Sequence, residues 1–164
     1  MQKEDLSAVY PYLFPGTLYK LADTVQPALT NLHGEEVSSC KLLFVLKNAL
    51  NHDITATETE QLGKMADWTG LTRKETAVYQ IKEQRLSFLT LQKQYRMDYV
   101  IGFGILPIDL NLNMEHYLNK TTRFMNCSLL FALPFAVLQR DGKSKNDFFE
   151  EAASLFRPLK RQKS

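Results

Sequence analysis

The sequence predicts an all-α protein, with about six helices in an irregular bundle. Three observations point there. Apolar residues recur at three- and four-residue spacing along most of the chain. Two Thr-x-x-Glu patterns, at Thr57 and Thr72, have the form of helix capping boxes. Only Tyr99–Pro107 (YVIGFGILP) combines glycines with β-branched and aromatic residues, which marks one short extended segment.

A first helix begins near Pro15-Gly16 and carries Leu18, Leu21, Ala22, Val25, Ala28 and Leu29 on one face. Pro27 kinks or splits it at Gln26, and His33-Gly34 stops it. A second helix covers residues 36–51. Leu42, Leu43, Val45, Leu46 and Leu50 leave it few exposed sides, which makes it central. The third runs from Thr57 to about Asp67. The fourth opens at Thr72 and reaches about Tyr99. Its seam of Ala77, Ile81, Gln84, Phe88, Leu91 and Tyr95 alternates four- and three-residue steps, as a partner helix requires. A fifth, capped by Asn111 or Asn113, passes through His116 and the run Cys127–Leu138 to Gln139, with a kink at Pro134. A last helix spans 146–156. The chain reads as one helical domain over residues 1–157, with a basic flexible tail over 158–164.

At 164 residues, one domain is the expectation. Two cysteines, Cys40 and Cys127, make no disulfide framework and sit in apolar runs, so buried thiols in a reducing, cytoplasmic setting are expected. The run Cys127–Leu138 is too short to span a membrane, which takes about 20 residues. An interfacial helix there is a minor alternative. Net charge is +2, unevenly spread. Residues 1–71 hold five Lys/Arg against nine Asp/Glu, and residues 72–164 hold fifteen against nine. A polyanionic partner for the second half is one implication; association of two copies is another.

The residues around Gly70 sharpen this. Ala66, Gly70 and Leu71 stand at spacings of four and one: a small residue for a helix crossing, a Gly for a left-handed turn, and an apolar plug. Leu62 and Met65 pack before the turn, and Tyr79 lies eight residues past Leu71. From Leu62 to Arg85 the chain resembles the helix-turn-helix superfamily. That resemblance implies a DNA-binding regulator of transcription, acting as a dimer. Thr72, Arg73, Lys74 and Glu75 would then enter the major groove, with Gln80 as a further reader. Arg73 has the two-pronged geometry for guanine, while Lys64, Lys74, Lys82 and Arg85 suit phosphates. Lys93, Arg96, Lys120 and Arg123 would extend the basic surface, and Arg157, Lys160, Arg161 and Lys163 would clamp phosphate. Ile81, Phe88, Leu91 and Tyr95 would form the dimer interface.

Little points to catalysis. His33, His52 and His116 share no ligand spacing with one another or with a cysteine or carboxylate. Glu58 and Glu60 read as a capping cluster. Gly102-x-Gly104 lacks the third glycine of a dinucleotide loop. A non-enzymatic protein without cofactor or metal is expected. The rival to a DNA reader is a helical interaction subunit, or an accessory or inhibitor protein of a larger protein or RNA-containing assembly.

Overall fold

A five-stranded mixed sheet organises the chain. The structure is a computed structural model and describes residues 28–48 and 52–162, with side chains as far as residue 159. The strands are β1 (Leu42–Leu46), β2 (Thr76–Gln80), β3 (Tyr99–Phe103), β4 (Thr121–Phe124) and β5 (Cys127–Ala132). They lie in the order β2-β1-β3-β5-β4. β1 pairs in parallel with both β2 and β3, and β3 with β5. The antiparallel β4–β5 hairpin closes one edge.

Among the described residues four α-helices accompany the strands: α1 (Ala56–Thr69), α2 (Phe88–Tyr95), α3 (Phe135–Leu138) and α4 (Gly142–Gln162). The two-residue period of the strands divides the core. Leu43, Val45, Val100, Leu129 and Phe131 point to one face, under Phe88, Leu91 and Tyr95 of α2. Leu42, Phe44, Leu46, Ile101, Phe103, Leu130 and Ala132 point to the other, under α1, α3 and α4. Phe103 stands at the centre of that second face. Its ring lies 6.3, 5.1 and 5.5 Å from the rings of Phe44, Phe135 and Phe148.

The fold is therefore α/β, and the all-α bundle is wrong. Three expected helices contain strands. Leu42–Leu46 is buried at all five positions, because a central parallel strand faces protein on both sides and needs no polar face. Such a run cannot be told from a buried helix by periodicity alone. Thr76–Gln80 (TAVYQ) forms β2 inside the supposed fourth helix, of which only α2 remains helical. The fifth helix dissolves into the β4–β5 hairpin and α3, with Asn111 and Asn119 at positive φ. Pro134 caps α3 and does not kink a longer helix.

The extended stretch expected over 99–107 contains β3. The cap of α1 lies ahead of Thr57, at Thr55: Thr55 Oγ1 accepts from the Glu58 amide, and the Glu58 carboxylate accepts from the Thr55 amide. The last helix runs on through residues expected to be tail, with Pro158 inside it. The expected first helix lies outside the described residues up to position 27. Residues 31–34 form a turn with Gly34 at positive φ.

Candidate functional site

The turn at Gly70 has the expected geometry, but the chain beyond it does not. Gly70 has φ 84°, with Ala66 and Leu71 buried on either side. The Thr72–Glu75 capping box also forms, yet it opens only a three-residue 3-10 turn, Arg73–Glu75, and the chain then enters β2. A capping box satisfies the first amides of any helical turn; it does not supply the residues that continue one. Thr76, Ala77, Val78 and Tyr79 favour a strand, and pairing with β1 gives them one. Among the described residues no second helix leaves this turn to enter a major groove.

Nor do the candidate DNA contacts form a free cationic surface. Arg73 donates Nε and Nη2 to the two carboxylate oxygens of Asp67, at 3.3 and 3.1 Å. Glu75 takes the Lys41 ammonium at 2.9 Å and the Thr72 amide at 2.8 Å. The Thr72 amide and Lys41 hold its carboxyl down to about 2. Lys82 pairs with Asp53, and Lys64 with Glu60. Gln80 donates to the His52 carbonyl. Lys74 and Arg85 remain exposed without an ion pair among the described residues. Lys120 and Arg123 lie on or beside β4, the sheet edge opposite β2, roughly 19 Å away at four strand spacings. Lys93 and Arg96 lie on α2 and at its end.

The interface seam is also spent. Ile81, Phe88, Leu91 and Tyr95 are all at most 4% exposed, packed on the sheet of their own chain. Their spacing serves an internal partner, and a second subunit has no access to them.

The carboxyl ends of the strands are the usual ligand position in parallel sheets, at the point where strand order reverses. Here that point lies between β1 and β3. Backbone fills it: the Lys47 amide donates to the Phe103 carbonyl. Gly104, at φ 70°, sits so close that a Cβ there would lie 2.9 Å from the Lys47 carbonyl oxygen. The nearby polar groups bind each other. Lys47 meets Asp109 at 3.2 Å, and Asn48 Nδ2 donates to the His52 carbonyl at 3.2 Å. Burial pushes the Cys40 and Cys127 thiols up to about 12, which removes thiolate chemistry at neutral pH. Among the described residues no group of three or more His, Cys, Asp or Glu is placed to hold a metal ion, and no helix is long and apolar enough to cross a membrane.

Among the open clefts of the described residues is a groove of about 430 Å³ between α1, α3 and α4, beside another of about 380 Å³ that Thr30, Ile54 and Tyr79 help to line. Gln61, Lys64, Met65 and Trp68 form its first wall. Those positions are spaced i, i+3, i+4 and i+7, a stripe beside the core stripe of Leu62, Ala66 and Thr69. Phe135 and Gln139 form its end, and Lys145 and Phe149, one turn apart, form its second wall. The floor is apolar. Met65 and Phe135 are buried, while Trp68 and Phe149 are partly buried. Trp68 lies edge-on to Phe156 at 6.4 Å, and Phe149 edge-on to Phe148 at 5.3 Å, so both rings are seated on core aromatics. Val137, two residues past Phe135 in α3, is 47% exposed.

Sequence reading singled out two of these residues for other roles, Met65 as packing before the turn and Lys64 as a phosphate contact, and no motif marks the groove itself. The available signal was that α1 carries two adjacent stripes, the second holding Met65 and the sole tryptophan. No protein-family model matches the chain, and no curated protein does either.

Proposed function

We propose that this chain is a non-enzymatic interaction subunit of a larger assembly, and that a partner docks in the groove between α1, α3 and α4. One observation carries the reading. Aromatic and thioether side chains line an open groove of about 430 Å³, seated on the core but not covered by it among the described residues. Partly buried Trp and Phe on a rigid backing are the residues that anchor protein partners, since they remove much apolar area from water at little entropic cost. The distribution of charge agrees with it. Of the cations expected on DNA, Arg73, Lys64 and Lys82 meet carboxylates of the same chain, while Lys74 and Arg85 do not. A duplex reader of the helix-turn-helix kind would lack, among the described residues, a second helix after Gly70 to place in the groove of the DNA.

The test is hydrodynamic. Tagged chain in native extract of its source cell should elute well above the 18.9 kDa of the monomer. Phe149→Asp should return it to monomer mass while its far-ultraviolet dichroism stays that of the wild type. Gln61→Trp, which fills the groove from its rim without touching the core, should do the same. Elution of the wild type as a monomer, together with salt-sensitive binding of mixed duplex DNA, would replace this reading with the DNA-binding one.

A further inference from the structure

Resting on that reading, we infer that the occupant of the groove is an amphipathic helix of a partner protein, with carboxylates flanking a large apolar anchor. The chemistry of the rim is the reason. Among the described residues, the ionisable side chains that line the groove are Lys64 and Lys145, and no carboxylate lines it. Lys64 touches Glu60 at 2.8 Å, but both are about seven-tenths exposed, so that pair is screened and readily exchanged. Lys145 carries no ion pair among the described residues.

The turn that joins α3 to α4 adds Arg140, and the first turn of α4 adds Lys143, both exposed. The joining turn's one carboxylate, Asp141, is engaged: Oδ1 accepts the Ser144 amide at 3.1 Å. The amino-terminal end of α4, a 21-residue helix, lies at this same end of the groove, and Asp141 caps it. A cationic rim around an apolar floor is complementary to apolar anchors set among Asp and Glu. Phosphate groups would find the cations but not a use for the floor. Both walls are helix faces, which suits the helix-in-groove mode and its i, i+3, i+4, i+7 anchors.

Trp68 is the only tryptophan and lies in the groove, so the full-length chain reports its own occupancy. The probes are two synthetic, tryptophan-free amphipathic peptides with the same Leu and Phe face, one flanked by Glu and one by Lys. The Glu peptide should shift Trp68 emission to the blue and saturate. The Lys peptide should bind at least about tenfold more weakly, because like charges at a rim are penalised. The double variant Lys64→Glu, Lys145→Glu should invert that order; both positions are on the rim, and the fold is checked by dichroism. Equal affinity for the two peptides overturns the inference. So does an emission already that of a buried indole and unmoved by either peptide, which would mean that the chain covers its own groove. Emission that shifts with protein concentration alone would assign the groove to a second copy and overturn it too. If Phe149→Asp releases the chain from its assembly and the charge reversal does not, the docking groove stands and the acidic helix falls.

Discussion

The two faces of the sheet are finished differently. On one, the eight-residue α2 lowers Phe88, Leu91 and Tyr95 onto Leu43, Val45, Val100 and Leu129 and seals those side chains from solvent. The Tyr95 hydroxyl is even used inside the core, accepting the Leu29 amide at 3.3 Å. On the other, α1 and α4 are 14 and 21 residues long and bury far more chain, yet they leave a groove between them. The short α3, four residues, floors that groove and does not fill it. Apolar side chains serve the fold on the first face. On the second, Phe103, Phe135 and Phe148 serve the fold, while Trp68 and Phe149 extend past it. Rings seated on core aromatics with one edge left open are the feature on which the proposed docking groove rests.

Substitutions should divide along the same line. The largest effect belongs to the sealed face. Phe88→Glu places a carboxylate where the side chain is 1% exposed and should unfold the chain, at a cost of about 5 kcal/mol or more. Phe149→Asp, the same kind of change on the groove face, should leave a folded protein; if both unfold, the contrast between the faces is broken. Phe103→Ala comes next, losing about 4 kcal/mol in chemical denaturation through the cavity left among the aromatic rings around it.

Smaller effects test the turn that orients α1. Gly70→Val should cost about 1–3 kcal/mol. A Cβ there meets nothing within 4 Å, so the whole cost is the positive φ, read as a lower denaturation midpoint with an unchanged slope. Glu75→Gln should cost about 1 kcal/mol at neutral pH. The folded chain holds the Glu75 carboxyl near 2, below its ordinary 4.5. Its contribution is thus complete above pH 4.5 and is lost as pH falls towards 2. The variant should lose less stability than the wild type across that window, and equal slopes would show that Glu75 contributes nothing there.

The sequence announces some of this and hides the rest for physical reasons. α1 and the last helix are legible because one side of each meets water, so their apolar residues fall at helical spacing. β1 and β5 are not, because LLFVL and the largely apolar CSLLFA are covered on both faces and lose the alternation that marks a strand. β2 shows how local rules fail one at a time. The Thr72 box is genuine, and so is Gly70's left-handed turn, but the five residues Thr76–Gln80 belong to β1 through the sheet register. Charge was the weakest guide. The carboxylates that occupy Lys82 and Lys41 are those of Asp53 and Glu75, far away along the chain. A count of cations by segment cannot see them. The groove was hidden by the same distance, since its walls come from residues 61–68 and from residues 135–149.

The central claim, that the partner sits on the groove face alone, is tested most directly by site-specific photo-cross-linking in the source cell. A photoreactive residue replaces Gln61 or Gln139 on the rim of the groove, or Leu89, which is 46% exposed on the outer side of α2. Positions 61 and 139 are predicted to capture the same protein, position 89 to capture none of it, and Phe149→Asp to abolish both captures. Capture of that protein at position 89, or captures at 61 and 139 that persist in Phe149→Asp, would contradict the claim.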